Sequence, residues 1–239
     1  MKNRSEELVE VIGKKIVTGE YASGEILPKV EDLSEIHGVS RTVVRESLKS
    51  LATMGLVRSN QRSGTIVLPR LDWQWWNLDI LTWEIENNNK EFWLHLTEVR
   101  LGLEPVVASL AAKRATDQDM VKITDAFYRL EQSIGDKEAW ASADLDFHES
   151  ILHASYNELI INTGRTLSKA LLLSREKTIQ ATEKFEESSF DGPTKEALKR
   201  HRSIYEAVLA RDGEKAQAEM TNLILDVMRI IEFIYNDHS

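Results

Sequence analysis

The chain has 239 residues, 42% of them hydrophobic, a formal net charge of −9 and no cysteine. This length allows two domains, and the lack of cysteine excludes a disulfide framework and thiolate chemistry. The acidic balance argues against a protein that simply coats nucleic acid. The charge is uneven, however, because residues 41–70 hold six basic side chains and one acidic one, Glu46. A basic segment in an acidic chain predicts one DNA-reading module and one domain with a different task.

Residues 1–69 have the pattern of a small DNA-binding domain. Apolar residues recur at helical spacing in three segments, Gly38 lies in the turn before the third, and Gly55 follows its end. Two short strand-like segments come next, and Pro69 closes the module. We predict three helices and two strands, at residues 5–18, 30–37, 40–54, 56–58 and 65–68. This order is that of a helix-turn-helix with a β-wing, whose third helix would enter a DNA major groove.

The third predicted helix has side chains suited to DNA. Arg41 and Arg45 are one helical turn apart, so both can face one groove, and an arginine fork matches guanine. Neighbouring hydroxyl groups can donate to phosphates, and the basic turn between the strands can reach the minor groove. The predicted DNA-binding set from this pattern is Ser40, Arg41, Thr42, Arg45, Arg62, Ser63 and Gly64. The alternative is a solvated basic face on a small helical domain.

Residues 70–90 contain four of the six tryptophans of the chain and follow the predicted module. A flexible linker would be rich in Gly and Ser. We therefore predict that this linker packs, most simply as a joint between two domains. The alternative is an aromatic platform that stacks against a sugar. The tryptophans concerned are Trp73, Trp75, Trp76 and Trp83.

Residues 91–239 read as helix throughout, with apolar stripes interrupted by turn residues such as Gly135 and Pro193. We predict six helices, at residues 91–114, 117–134, 136–154, 157–183, 191–211 and 213–235. The predicted fold is therefore mainly α, a winged helix-turn-helix followed by an all-helical bundle. No apolar run is long enough to cross a membrane and the N-terminus lacks a signal-peptide core, so we expect a cytoplasmic protein without a membrane partner.

Residues 16–68 resemble the winged helix of the GntR family of regulators. Two matching motifs are Gly-x-x-x-x-Gly-x-x-Leu-Pro, which begins at Gly19, and Gly-Val-Ser-Arg-Thr-x-Val-Arg-Glu, which begins at Gly38. The Gly-Leu-Val and Ser-Gly-Thr-x-Val segments of the wing match as well. One position departs from the pattern. The family usually has a DNA-contacting Arg where this chain has Glu31, and Lys29 could supply the missing positive charge. The resemblance therefore adds Lys29 to the predicted DNA contacts and implies an unusual operator.

Most of residues 91–230 resemble the helical ligand-binding domain called FCD, found in the FadR-like branch of that family. The similar segments are 97–116, 143–160 and 199–212. Metal-binding members use one Asp and three His, and the resemblance places Asp144, His148 and His201 at three of these positions. The last position holds Leu223. The three remaining ligands, with waters or effector oxygens, could still hold a divalent ion such as zinc. The alternative is an Asp–His hydrogen bond beside a His that lines a pocket.

The resemblance also implies an effector site. Arg100 matches an arginine that tends to face the family's effector pocket, where a guanidinium fork would bind a carboxylate. Glu104 lies one turn further along the helix, so the alternative is a surface ion pair. Asn157 matches an Asn common in the family, and its alternative role is the N-cap of the next helix. The linker sequence around Trp76 and Trp83 resembles that of family members that respond to sugar acids.

These patterns together predict a DNA-binding transcriptional regulator rather than an enzyme. We expect a homodimer on a palindromic operator that represses a sugar-acid operon, of aldonate or hexuronate type, until a small carboxylate metabolite binds. One alternative is a metal-dependent enzyme in which Asp144, His148 and His201 hold a catalytic ion beside Glu149. The other is a regulator with no small-molecule effector.

Overall fold

The computed structural model describes residues 3–60, 64–182 and 195–236. The chain divides into two compact units, residues 1–88 and residues 89–239. The described residues form ten α-helices and one two-stranded sheet, which confirms the predicted mainly α fold. None of the helices within these ranges combines the length and the apolar character that spanning a membrane requires.

The first unit contains four helices and the sheet. The elements are α1 Arg4–Val17, α2 Val30–His37, α3 Arg41–Thr53, β1 Val57–Asn60, β2 Gly64–Val67 and α4 Leu78–Asn87. The elements up to β2 agree with the predicted segments to within two residues.

The turn between α2 and α3 follows directly from its residues. Gly38 ends α2 in the left-handed conformation, with φ of 61°, where a residue without Cβ is favoured. Ser40 then begins α3, because its side-chain oxygen accepts a hydrogen bond from the Val43 amide at 3.3 Å. The apolar face of α3, which includes Val44 and Leu51, is fully buried in the core of this unit. The opposite face of α3 is thereby directed to solvent.

The sheet is an antiparallel hairpin with Val57 paired to Val67 and Asn60 paired to Gly64. A third extended segment adds to it, since the Leu27 amide donates to the Thr65 carbonyl at 2.8 Å and Ile26 forms a bridge with Ile66. The wing is therefore supported from the side by the residues that lead into α2. Arg62 and Ser63, both predicted DNA contacts, lie outside the described residues.

Residues 70–90 differ from the predicted linker, because the ten-residue helix α4 lies within them and no helix was predicted there. The Asn77 side chain caps α4 by accepting from the Asp79 amide at 2.9 Å. Trp83 lies over α1, where a Cβ at Gly13 would come within 2.3 Å of its ring. Trp73 is also buried, so the rings of Trp73 and Trp83 belong to the core of the first unit. A helix of ten residues is too short for the spacing of its apolar residues to predict it. This apolar packing stabilises the helix.

The second unit is an all-helical bundle. Its helices are α5 Lys90–Arg114, α6 Asp117–Gln132, α7 Lys137–Ala154, α8 Glu158–Thr182, α9 Lys195–Leu209 and α10 Gly213–Asn236. Helix α5 packs along α10 and also against α7, α8 and α9. Phe127 and Phe147 are fully buried between α6 and α7, and the Phe127 ring stacks on Tyr205 of α9. Helix α5 is therefore central in the bundle, and α5 and α7 carry most of the predicted effector and metal residues.

Candidate functional site

The exposed face of α3 presents the predicted DNA contacts. Arg41, Thr42 and Arg45 are exposed near the start of the helix, while Val44 and Leu48 anchor the other face. Ser40 is exposed as well, but its hydroxyl oxygen is engaged at the helix cap. The unpaired amides at a helix start also favour a phosphate. The geometry is that of a helix able to place two arginine forks in one groove.

Glu31 and Arg41 form an ion pair that joins the two helices of the motif. The Arg41 guanidinium lies 3.6 Å from the Glu31 carboxylate, and both side chains are about half exposed or more. An exposed pair of this kind contributes little to stability. The pair matters for the position of Arg41, one of the two arginines of α3. Its partner Glu31 is the residue at which the chain departs from the family pattern. Lys29 is exposed just before α2.

A buried cluster of polar groups lies inside the second unit. Asp144 and His148 share one face of α7, and His201 reaches them from α9. One ligand atom from each residue lies within 4.8 Å of the other two. His201 Nε2 is 2.6 Å from Asp144 Oδ1, and His148 Nε2 is 3.9 Å from Asp144 Oδ2. The structure therefore brings together the three predicted metal ligands.

The outer nitrogens of both histidines face hydrogen-bond acceptors. His148 Nδ1 lies 2.8 Å from Glu104 Oε2, and His201 Nδ1 lies 2.9 Å from the Ala197 carbonyl oxygen. A carbonyl or an ionised carboxylate can only accept, so a ring with its proton on Nδ1 would donate to this outer acceptor. In that tautomer the Nε2 lone pair of each ring would be free to bind a metal ion beside Asp144. This second layer is the usual support of metal-ligating histidines.

The pKa values of the cluster fit this assignment. Burial lowers the pKa of His148 despite two neighbouring carboxylates, which favours the neutral ring. Burial alone would raise the pKa of Glu104, but Arg100, His148 and Arg175 hold it well below its usual range. The pKa of Asp144 is likewise well below its usual range, since the effect of Arg175 and the two histidines outweighs that of burial. The carboxylates are ionised and His148 is neutral, which are the states that bind metal.

The donor set therefore fits a divalent cation. Two Nε2 lone pairs and an Asp144 oxygen converge, and acceptors this close repel unless a proton or a metal ion lies between them. Within the described part of the chain, His148 Nε2 has no hydrogen-bond partner although the side chain is only 7% exposed. Leu223 is buried on α10 and lines the same region, so it offers no fourth ligand. Among the described residues, the group that could hold a metal ion consists of these three side chains.

Arg100 is 4% exposed and its Nε donates to Glu104 Oε1 at 2.7 Å. The alternative of a surface ion pair is therefore wrong for Arg100. The pair lies at the wall of a cavity of about 60 Å³, several times the space that one buried water requires. The wall of the cavity has few polar groups. The rest of its lining is apolar and includes Leu103, Leu167 and Met220. Such a lining is typical of small-molecule sites.

Asn157 stands apart from this cavity. Its side-chain oxygen accepts from the Ile160 amide at 3.3 Å, which is the geometry of an N-cap of α8. It is not among the residues that line the cavity.

Arg175 of α8 is part of the cluster and was missed by the sequence analysis. Its Nε donates to Asp144 Oδ2, and its Nη1 donates to the Leu171 carbonyl at 3.2 Å. It lines the main cavity and also a smaller one of about 20 Å³ beside Leu223. A signal was present in the sequence, because Arg175 lies on the apolar stripe of α8 with Leu167 and Leu171 at helical spacing.

Comparison with known proteins matches both units to described families. Residues 4–67 match bacterial regulatory proteins of the gntR family, and residues 95–226 match the FCD domain. The galactonate operon transcriptional repressor of Escherichia coli K12 is 30% identical over 96% of this chain and 98% of its own length. The Uxu operon transcriptional regulator of the same strain is 29% identical over 95% of this chain and 87% of its own length. The regulator LutR of Bacillus subtilis is 32% identical over 93% and 99% of the two chains.

Solved structures share the fold. A Listeria monocytogenes protein described as Lar, which controls expression of the agr system, aligns over 98% of this chain and 99% of its own. Its TM-score is 0.60 at 16% identity. A Streptococcus agalactiae GntR protein aligns over 94% and 99% of the two chains, with a TM-score of 0.51 at 23% identity. At these identities the agreement concerns the fold alone.

Proposed function

The chain belongs to the GntR family of bacterial regulatory proteins and carries an FCD domain, and from this premise we propose that it represses a sugar-acid operon until a carboxylate metabolite binds its second unit. The family and the relatives are transcriptional regulators, which favours a regulator over the alternative of a metal-dependent enzyme. One observation carries the proposal: a DNA-reading helix and a buried cavity with arginines at its wall occur in one chain.

The operator would be read by α3. Arg41 and Arg45 would bind base edges, whereas Thr42, Lys29 and the amides at the start of α3 would bind phosphates. The Ser40 hydroxyl could also reach a phosphate, and the wing residues Arg62, Ser63 and Gly64 would enter the neighbouring minor groove. A homodimer on a palindrome is the arrangement that matches protein symmetry to DNA symmetry. The protein would act in the cytoplasm, where its operator lies.

The effector would bind in the cavity beside Arg100. A buried arginine binds a carboxylate through paired charge-assisted hydrogen bonds. The relatives' names include a galactonate operon repressor, and an aldonate combines one carboxylate with hydroxyl groups. Glu104 would orient Arg100 through the 2.7 Å bond to its Nε. Asn157, which caps α8, would contribute only through the position of that helix.

Asp144, His148 and His201 would hold a divalent cation such as zinc at one end of the cavity. When bound, the ion supplies a Lewis acid that attracts the oxygens of an anionic ligand. The chain's own charges nearly cancel there, because Arg100 and Arg175 face Glu104 and Asp144. A bound cation would therefore leave the site net positive, which favours an anion. Glu104 and the Ala197 carbonyl would keep the histidine rings in place.

Release from DNA requires that the effector bind the DNA-incompetent state more tightly than the DNA-competent one. A ligand with equal affinity for both states would shift nothing. The cavity is lined by residues of α5, α7, α8 and α10. A ligand that bridges these helices can change how they pack. Such a ligand would contact the two packing arrangements differently, and this would give the difference in affinity that release from DNA requires.

The test is operator binding with and without sugar acids. Purified protein would be titrated into the DNA upstream of its own gene and into random duplex, in rising salt. We expect a salt-sensitive preference for the upstream DNA that galactonate or a hexuronate weakens. Equal affinity for both duplexes would contradict the regulator, whereas specific binding that no sugar acid weakens would contradict only the effector class. Thermal unfolding of chelator-treated protein, with and without zinc, would then show whether the ion is required.

A further inference from the structure

The Arg175 side chain is buried in the second unit with part of its hydrogen-bonding capacity unused. It is 5% exposed and projects from α8 between the two cavities. Its Nε and Nη1 have the partners Asp144 and Leu171, whereas its Nη2 has no hydrogen-bond partner among the residues that the structure describes. A buried donor without a partner costs free energy. A bound group that accepts this hydrogen bond would recover that cost.

The chemistry of such a group follows from the surroundings of Arg175. A guanidinium binds carboxylates more strongly than neutral acceptors, since both partners are charged. The Nε of Arg100, the other arginine at the cavity wall, is already engaged by Glu104. The lining between the two arginines is mostly apolar, with Leu103, Leu167 and Leu171. In an apolar wall, a guanidinium nitrogen determines which ligands are accepted.

We propose that Arg175 is an effector-binding residue whose Nη2 binds the carboxylate of the ligand. This inference rests on the proposed function in one respect, namely that the effector is a carboxylate. Arg175 already links α8 to Asp144 on α7 through its Nε, so a ligand carboxylate on Nη2 would be a third partner of the same guanidinium. The residue gives selectivity, because a neutral polyol of the same length gains nothing from it.

The experiment measures binding of galactonate and of galactitol, which has the same carbon chain without the carboxylate, by calorimetry. The variants are Arg175→Gln, Arg175→Lys and the control Arg165→Gln, an exposed arginine on the same helix. We expect Arg175→Gln to weaken galactonate about 30-fold or more, as loss of a buried charged partner does. Galactitol should bind weakly to every form, and Arg165→Gln should behave as wild type. Arg175→Lys keeps the charge and should fall between.

A folding defect is controlled separately, because Arg175→Gln leaves the Asp144 carboxylate without its arginine. The double variant Arg175→Gln/Asp144→Asn removes both charges, and melting curves with operator binding report on the fold. Galactonate affinity equal to wild type in Arg175→Gln or in the folded double variant would overturn the role of Arg175. Loss of affinity in Arg165→Gln to the same extent would also overturn it, since the effect would then not depend on the cavity.

Failure of the sugar-acid proposal gives a different result. The wild type would then ignore aldonates and hexuronates but bind another carboxylate of the panel, such as citrate or lactate, and Arg175→Gln would lose that binding. This outcome supports Arg175 and rejects only the effector class. If no carboxylate binds the wild type, the role of Arg175 is rejected, while operator binding stands on its own measurement.

Discussion

The two units of this chain place their charged groups in opposite ways. In the first unit Arg41 and Arg45 stand exposed on α3, supported from behind by a fully apolar face. In the second unit Arg100, Arg175 and Asp144 are buried among apolar helices. An exposed arginine is solvated before its partner arrives and can act alone. A buried one must be neutralised within the protein, and its neighbours therefore become part of its function.

This difference determines how each unit tolerates change. On the face of α3 that is proposed to bind DNA, a substitution would remove one contact and leave the fold intact. In the cavity a substitution also disturbs the groups that balance it, as Glu104 shows by facing both Arg100 and His148. Four predictions test this comparison, from the largest expected effect to the smallest.

The largest effect is expected from Arg41→Ala/Arg45→Ala. Each bidentate arginine–guanine pair contributes about 1–3 kcal/mol, so the double variant should lose about 30-fold or more in operator affinity. The melting temperature should stay unchanged, because both side chains are exposed. Fluorescence anisotropy with a labelled operator fragment provides the measurement. The control Lys122→Ala/Lys199→Ala removes two exposed charges from the second unit, and an equal loss there would reject a specific role for α3.

Gly13→Ala is expected to destabilise the first unit. The added Cβ would lie 2.3 Å from the Trp83 ring, which is buried and cannot move freely. Overpacking costs about 1–3 kcal/mol, which exceeds the gain of up to about 1 kcal/mol from helix propensity. Gly102→Ala is the matched control, since nothing lies within 4 Å of its added Cβ, and it should stabilise the chain slightly. Calorimetric unfolding that moves both variants in the same direction would contradict the Trp83 contact.

Glu104→Gln should weaken zinc binding. The carboxylate at 2.8 Å from His148 Nδ1 orients the ring, and loss of such a partner typically costs about 10- to 100-fold in metal affinity. Competition with a chelating dye measures this affinity. Glu149→Gln changes another carboxylate at the same cavity and should leave zinc affinity as in the wild type. Equal affinity in all three proteins would show that Glu104 does not support a metal ligand.

The smallest effect is expected at a surface hydrogen bond of the second unit. Burial alone would raise the pKa of Asp119, but hydrogen bonds from Thr116 and Tyr156 lower it to about 2, below its ordinary value of 3.8. Because the folded-state pKa is depressed, this stability is complete above pH 3.8 and is lost as the pH falls toward 2. Tyr156→Phe should lower the free energy of unfolding slightly at pH 7 and less still near pH 2, where Asp119 becomes protonated. Denaturant unfolding at both pH values, with Tyr128→Phe as control, would reveal a pH-independent loss if this assignment is wrong.

Much of the first unit could be predicted because its signals are local. Gly38 and Ser40 set the turn and the start of α3, and the spacing of Arg41 and Arg45 places both on one face. Helix α4 was missed for the opposite reason. Its residues gain their stability from packing on α1, where Gly13 makes room for Trp83, and no local pattern records that contact.

In the second unit the sequence determined the helices and, through one i, i+4 pair and a resemblance, the residues Asp144, His148 and His201. Their meeting within 4.8 Å needed the packing of α9 against the bundle. Only the tertiary structure decided that Glu104 serves His148 as well as Arg100, that Asn157 caps a helix, and that Arg175 reaches the cavity. The reason is physical: periodicity identifies which face of a helix is buried, but the partner of a buried charge lies on another helix, many residues away in the chain.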